Sequence, residues 1–227
     1  MSLSLSRSAI EDVVRAVVSS RLSTGCAGCA QCPRLTSSPL VVNASARHMH
    51  LSPGDLEILF GSGHQLTPLK PLYQEGHFAA EETVTLIGPR SRLISNLRIL
   101  GPCRGHSQIE LAFTDAVTLG IDDVPIRLSG DIAGTPGALV MGPKGVLQLK
   151  QGVIRAAIHV HMNPADAEFY GVAHRDIMKL RVGGAAGVTF TNVHVRVDPA
   201  YKLEVHMDTD EANACGLRFT RDVQLFE

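Results

Sequence analysis

SARHMHLSPGDLE, residues 45–57, decides how the rest of the chain is read, because nearly the same string returns as AAIHVHMNPADAE at 156–168. Both copies run His-x-His, an apolar residue, Ser or Asn, Pro, any residue, Asp, any residue, Glu. His48 to His159 is 111 positions, and His50 to His161, Asp55 to Asp166 and Glu57 to Glu168 are each 111 as well. A match in register over such a length is an internal repeat. A chain of 227 residues is then expected to form two related units, each able to bury its own core.

Downstream the repeat continues at a shorter offset, because the first copy carries an insertion. Asn96 to Asn192 and Gly120 to Gly216 are each 96 positions, which sets Glu110 against His206 and Ala116 against Ala212. Around these markers, short β-branched runs alternate with turn signals: LVVNASARHMH, ETVTLIG, LISNLRIL and SQIELAF in the first copy, then GVIRAAIHVHM, GVTF, NVHVRV and KLEVHM in the second. Runs of this length read as strands. One short helix follows each His-x-His, with Ser52 and Asn163 as N-caps, Pro53 and Pro164 in the first turn, and Gly61 and Gly171 as stops. The expected fold is mainly β: two duplicated small β-barrel domains with short capping helices, the first over 40–150 and the second over 151–227. The strand over 40–47 is open to assignment to the second barrel.

In a strand, side chains at i and i+2 share a face about 7 Å apart along the backbone, close enough for two imidazoles to converge on one ion. Met49 and Val160 then point the other way. The repeat supplies each pair with a third donor, Glu110 for His48 and His50, and His206 for His159 and His161. Three ligands leave a zinc ion one open position, the pattern of catalytic rather than structural sites. The remaining histidines, His64, His77, His106, His174 and His194, carry no such pattern.

Composition narrows the function classes. Hydrophobic residues make up 44% and charged residues 19%, with no apolar run long enough for a membrane helix, so neither membrane insertion nor a membrane partner is expected. A formal net charge of −1 argues against nucleic acid as a partner. Five cysteines, three of them in CAGCAQC at 26, 29 and 32, do not form the even framework of a secreted disulfide protein. The three thiols fall one short of a closed metal site and are read as linker residues. The segment 1–24 holds Ile10, Val13, Val14, Val17, Val18 and Leu22 at helical spacing, and Glu11, Asp12 and Arg15 make it unlike a secretion signal. It reads as an amphipathic helix tethered by a flexible Gly-, Ser- and Pro-containing linker over 25–39, with one apolar face offered to a partner.

At these residues the chain resembles the phosphotransacylases of bacterial microcompartments, the phosphate propanoyltransferase family. The matching strings are SARHMHLSPGDLE, GHFAAEETVTLIGPR, LRILGPCRGHSQIE, LSGDIAGTPG, IHVHMNPADAE and LEVHMDTDEANACG, in order over residues 41–216. The resemblance implies twin β-barrels holding two zinc ions per chain. It implies reversible acyl transfer between coenzyme A and phosphate, with propanoyl-CoA or acetyl-CoA as the acyl donor. It assigns His48, His50 and Glu110 to one zinc, His159, His161 and His206 to the other, and Arg104 to phosphate and catalysis. Ala44, Ser45, Ala46, Arg90, Arg98 and Asn213 match coenzyme-binding positions. The short N-terminal extension implies microcompartment shell or lumen proteins as partners and a lumen location within the bacterial cytoplasm, and a homo-oligomer is compatible with the family. Two positions depart from the common pattern: family members often carry Asn where Ala46 stands and Arg where Ile158 stands, and neither is a ligand.

The chemistry of the residues agrees. Phosphate is already an anionic nucleophile, so the site needs placed charge more than a strong general base. Arg104 can hold it through two parallel hydrogen bonds. Two other readings fit parts of the pattern. His48, His50 and Glu110 alone match a 2-His-1-carboxylate non-haem iron oxygenase, and both trios could merely stabilise a non-catalytic twin-barrel scaffold. The all-histidine second trio speaks against the oxygenase.

Overall fold

Alternation along the strands sets the architecture, because each His-x-His pair brackets a residue with no solvent exposure at all: Met49 in one case, Val160 in the other. The computed structural model describes residues 38–227. The expected helix over 1–24, nearly all of the linker over 25–39, and Cys26, Cys29 and Cys32 lie outside the described residues.

In chain order the first part contributes β1 (Val41–Ser45), β2 (His48–His50), α1 (Pro53–Phe60), β3 (Pro68–Pro71), β4 (Phe78–Ile87), β5 (Leu93–Gly101), β6 (Gln108–Glu110) and α2 (Phe113–Leu119). Then come β7 (Ile126–Arg127), β8 (Ala138–Met141), β9 (Val146–Leu149), β10 (Val153–Ala156), β11 (His159–Met162) and α3 (Pro164–Tyr170). The chain ends with β12 (Ile177–Val182), β13 (Val188–Val197), β14 (Glu204–Asp208), α4 (Thr209–Ala214) and β15 (Val223–Phe226). The fold is mainly β with few, short helices, arranged as two curled half-barrel sheets. No helix among the described residues is long and apolar enough to cross a membrane.

One sheet has nine strands in the order β7-β10-β6-β2-β5-β4-β8-β9, with β3 paired to β4, and the other has six in the order β1-β14-β11-β13-β12-β15. Sheet membership departs from sequence order at two places. β1 pairs in parallel with β14, whereas β2, only a few residues on, pairs with β5 and β6 of the nine-stranded sheet. β10 pairs with β6 and β7, so the last strand of the nine-stranded sheet ends at Ala156. The run 40–50 and the run 152–162 each therefore break into two strands that serve different sheets.

Each sheet buries its own apolar face. Met49, Leu51, Leu59, Leu86, Leu97 and Ile99 belong to one core, and Val160, Met162, Leu180, Val193, Val205 and Met207 to the other. Fully burying a side chain of this size stabilises the fold by about 1.5–3 kcal/mol. The helices after the histidine strands begin as their sequences require. Asp55 N–H donates to Ser52 Oγ at 3.2 Å and Asp166 N–H to Asn163 Oδ1 at 2.9 Å, with proline in the first turn of each. Gly120, after α2, and its repeat partner Gly216, after α4, both take a left-handed backbone, φ 77° and 61°, which a residue with a Cβ adopts only at a cost.

Candidate active site

Because Met49 and Val160 point into the cores, the flanking histidines turn to the opposite face and meet in one cavity of about 870 Å³ lined from both sheets. His48, His50 and Glu110 form one group and His159, His161 and His206 another, the donor atoms within each lying within 4.8 Å of one another. Strand register brings this about. β2 runs antiparallel to β6 with His48 opposite Glu110, and β11 runs antiparallel to β14 with His159 opposite His206.

The groups have the chemistry of metal donors. Nδ1 of His48 lies 2.8 Å from the Ala46 carbonyl, and Nδ1 of His159 lies 2.8 Å from that of Ala157. A carbonyl accepts only from N–H, so Nδ1 carries the proton and the Nε2 lone pair is free to bind an ion. His50 has a weaker version of the same contact, 3.3 Å from Nδ1 to the Leu100 carbonyl. Both ring nitrogens of His161 are buried without a hydrogen-bond partner, the kind of orphan a metal would satisfy. His206 Nε2 lies 2.9 Å from Glu204 Oε2 but off the axis of a hydrogen bond.

Burial, then the positive fields of His48 and Arg104, pull the His50 pKa down to about 3. Burial and the neighbouring His206 bring His159 down to about 4. His161 is pushed far below the ordinary imidazole value by burial, His159 and His206. All three are neutral ligands at pH 7. Burial would raise the Glu110 carboxyl, but His48, His50 and the Ser129 hydroxyl outweigh it and hold the group ionised. His50, Glu110, His159 and His161 are thus held in the protonation state a divalent cation requires.

Around Glu110 the polar groups are matched. Gln108 Nε2 donates to Glu110 Oε1 at 2.7 Å and to Ser129 Oγ at 2.9 Å, while the Ser129 hydroxyl donates to Glu110 Oε1 at 2.8 Å. Arg104 Nη1 donates to the same Ser129 oxygen at 3.0 Å, and its backbone N–H is fixed on the Leu51 carbonyl at 2.9 Å. One guanidinium edge is thereby anchored beside the first trio. Burial lowers the Arg104 pKa, Glu110 opposes the shift, and Arg196 adds to it. On the other side Glu204, 2% exposed, accepts from Asn43 Nδ2 at 2.5 Å and Gln74 Nε2 at 2.7 Å.

Residues 41–218 match the family model described as phosphate propanoyltransferase. A protein named phosphate propanoyltransferase from Planctopirus limnophila is 50% identical over 97% of this chain and 91% of its own length. Proteins of the same name from Thermotoga maritima and Salmonella typhimurium are 50% and 48% identical, each over 78% of this chain and 84% of their own length. The chain belongs to the phosphate propanoyltransferase family. It is an enzyme of the phosphotransacylase kind.

The structure brings together all six donors with Arg104, Arg98, Ala44, Ser45 and Ala46, which line the same cavity. Arg98 Nη1 donates to the carbonyls of Ala80 and Glu81 at 2.9 and 2.8 Å. Arg90 and Asn213 lie outside the cavity wall, Arg90 paired with Asp122 at 2.8 Å and Asn213 exposed on α4. Sequence reasoning missed Lys70, Gln74, His77, Arg196, Tyr201 and Glu204, which also line the cavity. Only Glu204 left a signal: it stands two residues before His206, as Gln108 stands two before Glu110.

Proposed function

We propose that each donor trio holds a zinc ion, two per chain, and that the cavity between them transfers a short acyl group reversibly between coenzyme A and phosphate. The relatives carry the name phosphate propanoyltransferase, which makes propanoyl-CoA the expected donor. Acetyl-CoA is a further substrate, since one methylene changes discrimination by only about 1–3 kcal/mol. The observation that carries the reading is that two open, three-donor groups and the anchored guanidinium of Arg104 face one cavity. The donor sets, three imidazoles in one case and two with a carboxylate in the other, suit zinc.

When bound, zinc supplies Lewis-acid polarisation of a thioester carbonyl and a soft acceptor for a thiolate. The chain's own residues do the rest. Arg104 presents its free guanidinium nitrogens to phosphate, Ser129 and the Leu51 carbonyl having fixed its position, and so sets the line of attack. A phosphate oxygen bonds to the acyl carbon, the C–S bond breaks, and the electron pair leaves on sulfur. Burial of the trios excludes water that would hydrolyse the thioester or the acyl phosphate. Ala44, Ser45, Ala46 and Arg98 contact the coenzyme from the cavity wall. Arg90 and Asn213, outside that wall, are coenzyme contacts on the resemblance alone.

The two sheets are read as copies of one ancestral β unit, each the core of a small barrel, in accord with the repeat and the shared placement of the donors. The segment 1–24 is read as an address to a microcompartment lumen. Loss of encapsulation on removing residues 1–34 is the expected result, and unchanged encapsulation would refute that role. For the chemistry, the decisive experiment measures metal content and acyl phosphate formation together, with acetyl-, propanoyl- and butanoyl-CoA as donors. About two zinc ions per chain and phosphate-dependent release of coenzyme A are expected. Iron with oxygen-dependent turnover would replace this reading with an oxygenase, and zinc without turnover would leave a scaffold.

A further inference from the structure

Four arginines line the cavity, Arg47, Arg98, Arg104 and Arg196, and three of them are committed. Arg47 Nη1 pairs with Asp115 Oδ1 at 2.8 Å, Arg98 donates to two backbone carbonyls, and Arg104 is anchored on Ser129. Arg196 is different. Its side chain makes no hydrogen bond and meets no carboxylate within ion-pair distance among the described residues. The guanidinium faces the Tyr201 ring, 5.9 Å from Cζ to the centroid.

The fold places this free guanidinium deliberately close to the chemistry. β13 runs parallel to β11 with Arg196 opposite His161, so both side chains leave the sheet on the cavity face. The Tyr201 ring neighbours both, stacked on His161 with centroids 4.2 Å apart and 5.9 Å from Arg196 Cζ. Arg104 comes from the other sheet, after β5, and lines the same cavity: the charge of Arg196 is felt at Arg104 and at His161, and that of Arg104 at His50. Two cations lining one cavity repel, and that repulsion is relieved when a dianion enters. No repeat logic forces it, since the corresponding place opposite His50 is held by Leu100.

We propose that Arg196 is a phosphate-binding residue, forming with Arg104 a cradle of two guanidinium groups, one from each sheet, that clasps the attacking phosphate from opposite sides. Phosphate offers three or four oxygens, and one anchored arginine can engage only two of them in parallel. The second arginine fixes rotation about the first contact, which is what an in-line attack on a thioester carbon requires. This inference rests on the phosphotransacylase reading of the site.

The test uses the full, zinc-loaded chain with inorganic phosphate and propanoyl-CoA varied separately. Arg196→Gln is expected to raise the KM for phosphate about ten- to a hundredfold while the KM for propanoyl-CoA stays within about twofold. Zinc content is expected to stay at the wild-type level, and Arg196→Lys to recover part of the loss, because a single ammonium restores charge without the fork. As an equilibrium check, phosphate should raise the melting temperature of the wild type and fail to do so in Arg196→Gln. An unchanged phosphate KM overturns the proposal. So does a rise confined to propanoyl-CoA, which would put Arg196 on a phosphoryl group of the coenzyme, or a loss of zinc, which would make it a prop for His161. If Arg196→Gln fails to fold, Arg196→Lys carries the same comparison. Absence of phosphate-dependent turnover in the wild type would instead defeat the functional reading itself, an outcome distinct from all of these.

Discussion

The two donor trios are built on the same backbone and differ in one ligand, and the neighbour of that ligand differs with it. In both, the third donor stands across an antiparallel pair from the first histidine, and the residue two places earlier on its strand touches it. Gln108 donates an amide hydrogen to the carboxylate of Glu110 at 2.7 Å, whereas Glu204 sets a carboxylate oxygen 2.9 Å from His206 Nε2, off the hydrogen-bond axis. A buried donor cannot be exchanged alone, because an unmatched carboxylate or ring nitrogen would be left without a partner. The helices show the same rule. Arg47 meets Asp115 in the first half; the place equivalent to Arg47 is Ile158 in the second, and Arg155 reaches Glu211 at 2.7 Å and Asp208 instead. The charge has moved three residues along the chain and still neutralises the corresponding helix start.

The sharpest way to break the comparison is to remove one histidine from each trio. His50→Ala and His161→Ala should each lower zinc from about two ions to one per chain and cut turnover on the order of a hundred- to a thousandfold, measured by elemental analysis and a coupled assay. If either variant keeps both ions, the trios are not equivalent. A smaller effect isolates the neighbours. Glu204→Gln should weaken zinc about ten- to a hundredfold at the second trio only, and Gln108→Leu at the first only, as read by competition with a chelator. Equal weakening at both sites in either variant would show that the pairing is not local.

The smallest expected effect lies away from both trios. Glu82 accepts from the Thr67 N–H and hydroxyl and contacts His64 Nε2 at 2.9 Å. Burial alone would raise its carboxyl, but these partners prevail and hold it below its ordinary value of 4.5. The folded state therefore binds its proton less readily than the unfolded chain, so this stabilisation is complete above about pH 4.5 and fades as pH falls further. Glu82→Gln should flatten the acid limb of the melting curve below that pH and leave zinc content unchanged. A parallel acid limb would remove Glu82 from the account.

What the sequence made legible was local or repeated. The alternation through His48-Met49-His50 and His159-Val160-His161, the Ser52 and Asn163 caps, and the pairing of Glu110 with His206 all follow from period and offset. β12 went unread although its residues alternate, with Met178, Leu180 and Val182 buried between exposed Ile177, Lys179 and Arg181, because it lies outside the duplicated strings. β3 was not legible, since it begins and ends in proline and is exposed throughout. Sheet membership of the strand over 40–47 was left open by the sequence because residues 40–50 carry one unbroken strand-like pattern, and the step between sheets at Ala46 and Arg47 leaves no mark in composition. Arg196 reaches the cavity through the pairing of β13 with β11, and Tyr201 by stacking on His161, neither of which any spacing along the chain encodes.

The crossing of β1 and β10 into each other's neighbourhoods also governs the order in which this molecule can be made. As the polypeptide leaves the ribosome, β1 emerges early yet has nothing to pair with until β14 appears near the very end. The nine-stranded sheet, by contrast, can close its ranks once β10 is out. The nascent chain must therefore carry a bare edge through most of its synthesis, and the last strands to arrive stitch the beginning of the chain to its finish.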